Sequence, residues 1–276
     1  AWSGLPSPFD HDVHRIRHQE GAIAVAESVR KWLDGSEKMS TPKDHVQDPY
    51  SFRCIPQVHG ASRDVISAAR KLFENEVNAV TDNPLVFPEE DKVVSGGNFH
   101  GQPLALTLDH LTLAIHELAS ISERRTFKLM SGTRSLPAFL AKDPGLHSGY
   151  MIAQYTAASL VSMNKQLTTP SSADNADSSN GQEDHVSMGA NAALKLWKVI
   201  DNAEQVLAIE ALCAAQASDL GGMAGLGEMS PKLVKLQESL RESVPFLSQD
   251  AYMAPLLGDA LSWIKNNLPE DIDKCH

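Results

Sequence analysis

Two apolar patterns limit what this chain can fold into. Leu104, Leu108, Leu111, Ile115 and Leu118 recur at alternating spacings of four and three residues. That is the seam of a packed helix or coiled coil. Further along, residues 206–215 (Val-Leu-Ala-Ile-Glu-Ala-Leu-Cys-Ala-Ala) are apolar almost all round. A helix with so little polar face belongs inside a bundle or between subunits.

Other helical patterns surround these two. One runs from about His18 to Leu33. Another follows Pro56, with Val58, Val65, Ala69, Leu72 and Phe73 on one face, and Asp82-Asn83-Pro84 stops it, because a residue before proline avoids the helical region. Helices are also expected near 148–168, from His185 to about Leu220, and near 231–243 and 250–267, with a polar loop over 169–184. Val93-Val94-Ser95-Gly96-Gly97 is too short to argue for a sheet, and neither alternating βαβ signals nor evenly spaced strands occur. The fold class is therefore all-α: one helical region over residues 1–276, a bundle of long helices with functional loops at its ends.

Composition narrows the function. Against 24 Lys+Arg stand 35 Asp+Glu, a formal charge of -11, which argues against broad binding to nucleic acid or anionic membrane. No apolar run reads as a membrane span. Cys54, Cys213 and Cys275 have no CxxC spacing, so a reducing, cytoplasmic compartment is the simplest reading. The start, Ala1-Trp2-Ser3-Gly4-Leu5-Pro6, has no signal-peptide pattern and no initiator methionine, so the chain is expected to begin inside something larger. His11, His14 and His18 have helix-like spacing, but no further ligand completes a metal set, and no metal is expected.

Three polar runs carry the candidate chemistry. In Val46-Gln47-Asp48-Pro49-Tyr50-Ser51-Phe52-Arg53-Cys54, a phenol and a guanidinium lie three residues apart just after a proline. The guanidinium could clamp a carboxylate through two parallel donors, or be a surface or structural arginine. Tyr50 could handle a proton, or be an amphipathic residue with a wet tip. Ser95-Gly96-Gly97-Asn98-Phe99-His100-Gly101 is a tight loop leading into a helix, suited to close approach of a ligand or to a plain turn with Phe99 as an anchor. In Asn180-Gly181-Gln182-Glu183-Asp184-His185-Val186, two carboxylates precede a long helix. There they complement the helix dipole, or Glu183 accepts a hydrogen bond from an N–H or ammonium group.

Together with Asn78-Ala79-Val80-Thr81-Asp82-Asn83-Pro84, Ser122-Glu123-Arg124-Arg125 and Gln182 to Gly189, these runs make the chain resemble the aromatic amino acid ammonia-lyases, and within them those acting on histidine. The resemblance implies the helical fold of ammonia-lyases and fumarases. It implies removal of ammonia from L-histidine to give trans-urocanate, with a methylidene-imidazolone electrophile cyclised from Ala-Ser-Gly. Gln47, Tyr50, Arg53, Phe99 and Glu183 would be its site residues. Arg53 would hold the substrate carboxylate, Tyr50 would orient the amine beside the electrophile, and Gln47 would bond near the substrate. Phe99 would wall the pocket and Glu183 would face the side chain or amine. A glutamate at 183 resembles the histidine enzymes, whereas phenylalanine enzymes carry glutamine. The resemblance also implies a homotetramer whose sites draw on several subunits.

No Ala-Ser-Gly occurs in the 276 residues: Gly60-Ala61-Ser62 is followed by Arg63, and Ser95-Gly96 is preceded by Val94. The chain is thus expected to be the C-terminal half, inactive without an N-terminal half. Alternatives are a phenylalanine or tyrosine ammonia-lyase or aminomutase fragment, and a non-catalytic helical assembly module.

Overall fold

The computed structural model describes residues 4–43, 45–223 and 227–267. Ten helices are found among them: α1 (His11–Arg15), α2 (Glu20–Leu33), α3 (Glu37–Ser40), α4 (Tyr50–Arg53), α5 (Ile55–Val77), α6 (Gln102–Leu129), α7 (Met151–Leu167), α8 (Gly189–Met223), α9 (Pro231–Ser243) and α10 (Met253–Asn266). The all-α expectation holds with one addition, an antiparallel hairpin of β1 (Leu85–Phe87) and β2 (Lys92–Val94) in which Leu85 pairs with Val94. Three-residue strands are shorter than any period can register, so the valines at 93 and 94 gave no sheet signal.

The long helices α6 and α8 run side by side in the same direction. Leu111 and Leu196 meet midway, and Arg125 reaches Glu210 near the far end. At the near end, a Cβ on Gly189 would lie 3.8 Å from that of Ala105. Helix α7 packs antiparallel along the pair, with Gln154 Nε2 donating to Glu123 Oε1 at 2.7 Å and Asn202 Nδ2 to Asn164 Oδ1 at 2.8 Å. Its inward face carries Ala153 and Ala157, small enough to bring backbones close. Helix α5 lies antiparallel on the other side of α6, through Ser62 Oγ donating to Ala114 O at 2.9 Å. Helix α2 crosses α5 at Gly21 and Gly60, where a Cβ on either residue would collide with backbone of the other helix. Only glycine permits that crossing.

The core forms around the second half of α8. Val206, Ile209, Leu212 and Cys213 are buried against Ala119, Tyr150, Ala153, Leu240 and Trp263. Each fully buried Leu or Ile contributes about 1.5–3 kcal/mol. The apolar 206–215 stretch is thus spent on this chain's own interior. The apolar side chains left outside lie elsewhere: Leu194 and Trp197 on α8, each 72% exposed, and Ile152 and Tyr155 on α7.

Three other expectations shift. Helix α8 begins at Gly189, four residues after the expected His185, because residues 175–186 are held in loop hydrogen bonds instead. Glu123-Arg124-Arg125 is no charged cap: Glu123 is 1% exposed, and the guanidinium of Arg125 forms a two-pronged pair with Glu210. By length and hydropathy α6 could cross a membrane. A core helix meets the same test, and α6 buries Ala105, Leu111, Ala114, Ala119 and Ile121 inside the chain. The break expected over Gly221–Gly227 falls partly outside the described residues; α8 runs through to Met223.

The Arg125–Glu210 pair joins α6 to α8, and Arg125 Nη1 also donates to His59 Nε2 on α5 at 3.1 Å. Removing one partner strands the other charge in the interior. Glu210→Ala is therefore expected to lower unfolding stability by about 3–5 kcal/mol, read as a drop in the urea midpoint with an unchanged slope. A loss below about 1 kcal/mol, the range of an exposed pair, would mean that the pair does not lock the bundle.

Candidate functional site

Proline sets up the first cluster. Pro49 caps α4, and its carbonyl accepts from Phe52 N at 2.9 Å and Arg53 N at 3.0 Å. This single turn places Tyr50 and Arg53 on one face, since residues three apart are neighbours on a helix. Phe52 faces inward, its ring edge-on to Phe9 with centroids 5.3 Å apart. Tyr50 is 71% exposed, and the Arg53 guanidinium lies over its ring, 5.0 Å from the centroid. Arg53 Nε donates to Asp48 O at 3.0 Å, so the guanidinium is steered by its own loop. The Gln47 side chain is exposed, and its carbonyl accepts from Arg134 Nη2 at 2.8 Å.

Phe99 and Glu183 form a second cluster. Phe99, 47% exposed, lies in the loop before α6. Asn83 Oδ1 holds that loop by accepting from Gly96 N at 2.8 Å and Ser95 Oγ at 3.1 Å. Gly96 and Gly97 have open space around them and neither takes a positive φ, so nothing within the chain requires glycine there. Glu183 closes a tight turn, its carbonyl accepting from Ser178 N at 2.7 Å. Ser179, Asn180 and Gly181 within the turn are left-handed. Five residues separate Glu183 from the start of α8 at Gly189, so the helix dipole does not account for its placement. Its Oε2 is buried without a hydrogen-bond partner among the described residues, which asks for a donor from outside.

A histidine pair ties these two loops together. Gln102 N donates to His100 Nδ1 at 3.2 Å, so the ring proton is on Nε2, which reaches His185 O at 3.2 Å. The two imidazoles stack with centroids 5.4 Å apart and planes 15° apart. Asn175 Nδ2 donates to His185 Nδ1 at 2.8 Å.

The structure brings Phe99 and Glu183 together, and likewise Gln47, Tyr50 and Arg53, but it does not bring the two groups to one place. Phe99 and Glu183 sit at the start of α6 and α8. Gln47, Tyr50 and Arg53 sit near Arg125, since Ser51 and Phe52 line a cavity of about 270 Å³ with Arg125 and Glu210. Gly101 and Arg125 are 24 residues apart, which at 1.5 Å per residue is roughly 36 Å along α6. The three polar runs do not form one site within a single chain.

Sequence reasoning missed the polar residues behind the first cluster. Asp48 has a fully buried side chain and reads in sequence as part of a turn. His59, Arg125 and Glu210 come from three helices, and no local spacing joins them. Of the N-terminal histidines, His14 is buried, with Nε2 2.9 Å from Pro8 O, and Asp10 caps α1 through Asp12 N at 2.8 Å.

Residues 1–242 match a family model described as aromatic amino acid lyase. The chain belongs to this family. It is 48% identical over 275 residues to histidine ammonia-lyase of Treponema denticola, covering 99% of this chain and 53% of that protein. It is 48% identical to histidine ammonia-lyase of Symbiobacterium thermophilum over 97% of this chain and 52% of that protein. Among solved structures, histidine ammonia-lyase from Trypanosoma cruzi superposes with a TM-score of 0.86 at 41% identity, over 98% of this chain and 52% of that one. Tyrosine aminomutase from Streptomyces globisporus gives 0.89 at 35% identity, over 95% and 54%. The chain spans about half the length of the relatives it matches.

The lyase family implies a methylidene-imidazolone group. Its Ala-Ser-Gly source is not among these 276 residues. Tyr50 and Phe99 are both exposed but lie at opposite ends of this chain, so they could wall such a group together only across subunits.

Electrostatics near the Tyr50 cluster give a pH signature. His59 is pushed down to about 4, chiefly by burial and then by Arg125, against the opposing pull of Glu210. An unfolded histidine titrates near 6.5. Between those values the unfolded chain takes up a proton that the folded chain refuses, so stability falls as pH drops through that window. His59 is expected to cost on the order of 3 kcal/mol of stability by pH 4. Urea midpoints of the native chain and His59→Gln, compared from pH 7 to pH 4, test this: the native chain should lose more, and parallel curves would contradict it.

Proposed function

We propose that this chain is the C-terminal, substrate-clamping half of a histidine ammonia-lyase, a carbon–nitrogen lyase that eliminates ammonia from L-histidine to give trans-urocanate. The observation that carries the reading is the buried, unpartnered Glu183 Oε2 in a chain 48% identical to histidine ammonia-lyases. An imidazole N–H supplies the donor that this oxygen lacks, while a phenyl ring supplies none. Leaving such a group unpaired costs about 1–3 kcal/mol, a discrimination against phenylalanine.

In this reading Arg53 binds the substrate carboxylate, with its orientation set by Tyr50 and Asp48 O. Tyr50 turns the amine toward the reacting centre, Gln47 bonds beside it, and Phe99 walls the pocket. The methylidene-imidazolone, when present, supplies the electrophile that makes ammonia a better leaving group. It comes from the half of the enzyme that carries Ala-Ser-Gly. The elimination breaks a Cβ–H and the Cα–N bond and forms the Cα=Cβ double bond.

If both clusters serve one substrate, the distance between them along α6 supports a site shared between chains. The exposed Leu194, Trp197, Ile152 and Tyr155 support a homo-oligomer, a tetramer in the whole enzyme. A cytoplasmic location agrees with the free, buried Cys54 and Cys213. The likeness to tyrosine aminomutase favours a second reading, an aminomutase or an aromatic ammonia-lyase with another substrate.

Arg53→Ala in the full-length enzyme is expected to lower kcat/KM for L-histidine by roughly 10–100-fold, the worth of hydrogen bonds between charged groups. An unchanged value removes the clamp role. Glu183→Gln separates the readings on a panel of histidine, tyrosine and phenylalanine: loss of histidine preference supports the histidine enzyme, and an unaltered preference favours the alternative.

A further inference from the structure

The face that Tyr50 and Arg53 present depends on a four-residue turn that could not hold itself, since isolated short helices are unstable in water. Phe52 anchors its inner face against Phe9, and a polar knot around Asp48 holds the rest. Asp48 is the centre of that knot, and its side chain is fully buried. Its Oδ1 accepts from Arg134 Nη1 at 2.8 Å, and its Oδ2 from Leu5 N at 2.6 Å. Its own carbonyl accepts from Arg53 Nε. The second prong of Arg134 reaches the carbonyl of Gln47 at 2.8 Å. One guanidinium therefore grips the carboxylate and the adjacent backbone just before α4. Arg134 does this from the left-handed region, at φ 58°, which an L side chain occupies only when its surroundings enforce it. His45 completes the knot: Arg134 Nη1 lies 2.8 Å from its Nε2. The same His45 nitrogen lies 3.2 Å from Asp48 Oδ1.

We propose that Asp48 and Arg134 are positioning residues that fix the direction of Arg53 and Tyr50 toward the substrate; this rests on the clamp reading given above. The chemistry requires this pair of residue types. A lysine at 134 offers a point charge and cannot span carboxylate and carbonyl in one plane. An asparagine at 48 has one acceptor oxygen where two donors converge, from Arg134 and Leu5, and it turns an N–H toward one of them.

Two measurements test it. In the 276-residue chain, Asp48→Asn and Arg134→Lys should each speed hydrogen exchange of the Phe52, Arg53 and Cys54 amides by about tenfold or more, as local opening becomes easier, with α8 amides unchanged. No change at these three amides overturns the proposal without reference to any activity. In the full-length enzyme, Arg134→Ala should raise KM for L-histidine by about tenfold and leave kcat within about threefold, the pattern of lost uniform binding. Arg134→Lys should recover part of the difference. In an Arg53→Ala background, Arg134→Ala should add little, because residues acting through one another are not additive. Additive effects, or a fall in kcat alone, overturn the positioning role. If Arg53→Ala itself leaves KM unchanged, the clamp reading fails, and the exchange result still decides whether Asp48 and Arg134 hold the turn. Should Arg134→Ala not fold, Arg134→Lys and Asp48→Asn carry the same comparison.

Discussion

The bundle depends on how α6 and α8 are fixed against each other. Apolar contacts alone leave two long parallel helices free to slide by a turn. The Arg125–Glu210 pair removes that freedom, because a shift would leave both charges in the interior without partners. Burial pushes the Glu210 carboxyl up, and Arg125 more than reverses this, so the acid stays ionised below its usual range. The same arginine reaches His59, so α5 is placed by the same charge. Three helices share one register.

That register decides where the functional loops emerge. With α6 and α8 parallel, the loops preceding them lie at one end, and stacked histidines hold Phe99 and Glu183 near each other. With α5 antiparallel, the turn before it lies at the other end, and Tyr50 and Arg53 go with it. The length of α6 is therefore also the spacing between the two candidate clusters. Shortening it would bring the two sets of loops closer without altering any candidate residue.

Long elements were legible in the sequence because period and length reinforce one another. Leu104 to Leu118 marked α6, and Val58 to Phe73 marked α5. The limits came from properties that are not local. The all-apolar face at 206–215 fits a chain's own core and a subunit boundary equally well. Its destination is decided by Trp263, Leu240 and Tyr150, which lie far away in sequence. Arg125 follows Glu123-Arg124, and adjacent charges read as solvated, although one faces Glu210 and another faces Gln154. The candidate residues were found as motifs, but a motif carries no distance. That Glu183 and Arg53 belong to opposite ends follows only from helix direction. Asp48 was visible merely as a turn residue before proline, because its partners, Leu5 and Arg134, lie 43 and 86 residues away.

His100 stands beside Phe99 in a loop where an imidazole invites a role in proton transfer. Both of its nitrogens are already committed, one accepting from Gln102 N and the other donating to His185 O. Using either nitrogen for proton transfer would give up one of these hydrogen bonds. Its contribution is mechanical. It is a rivet between the two loops.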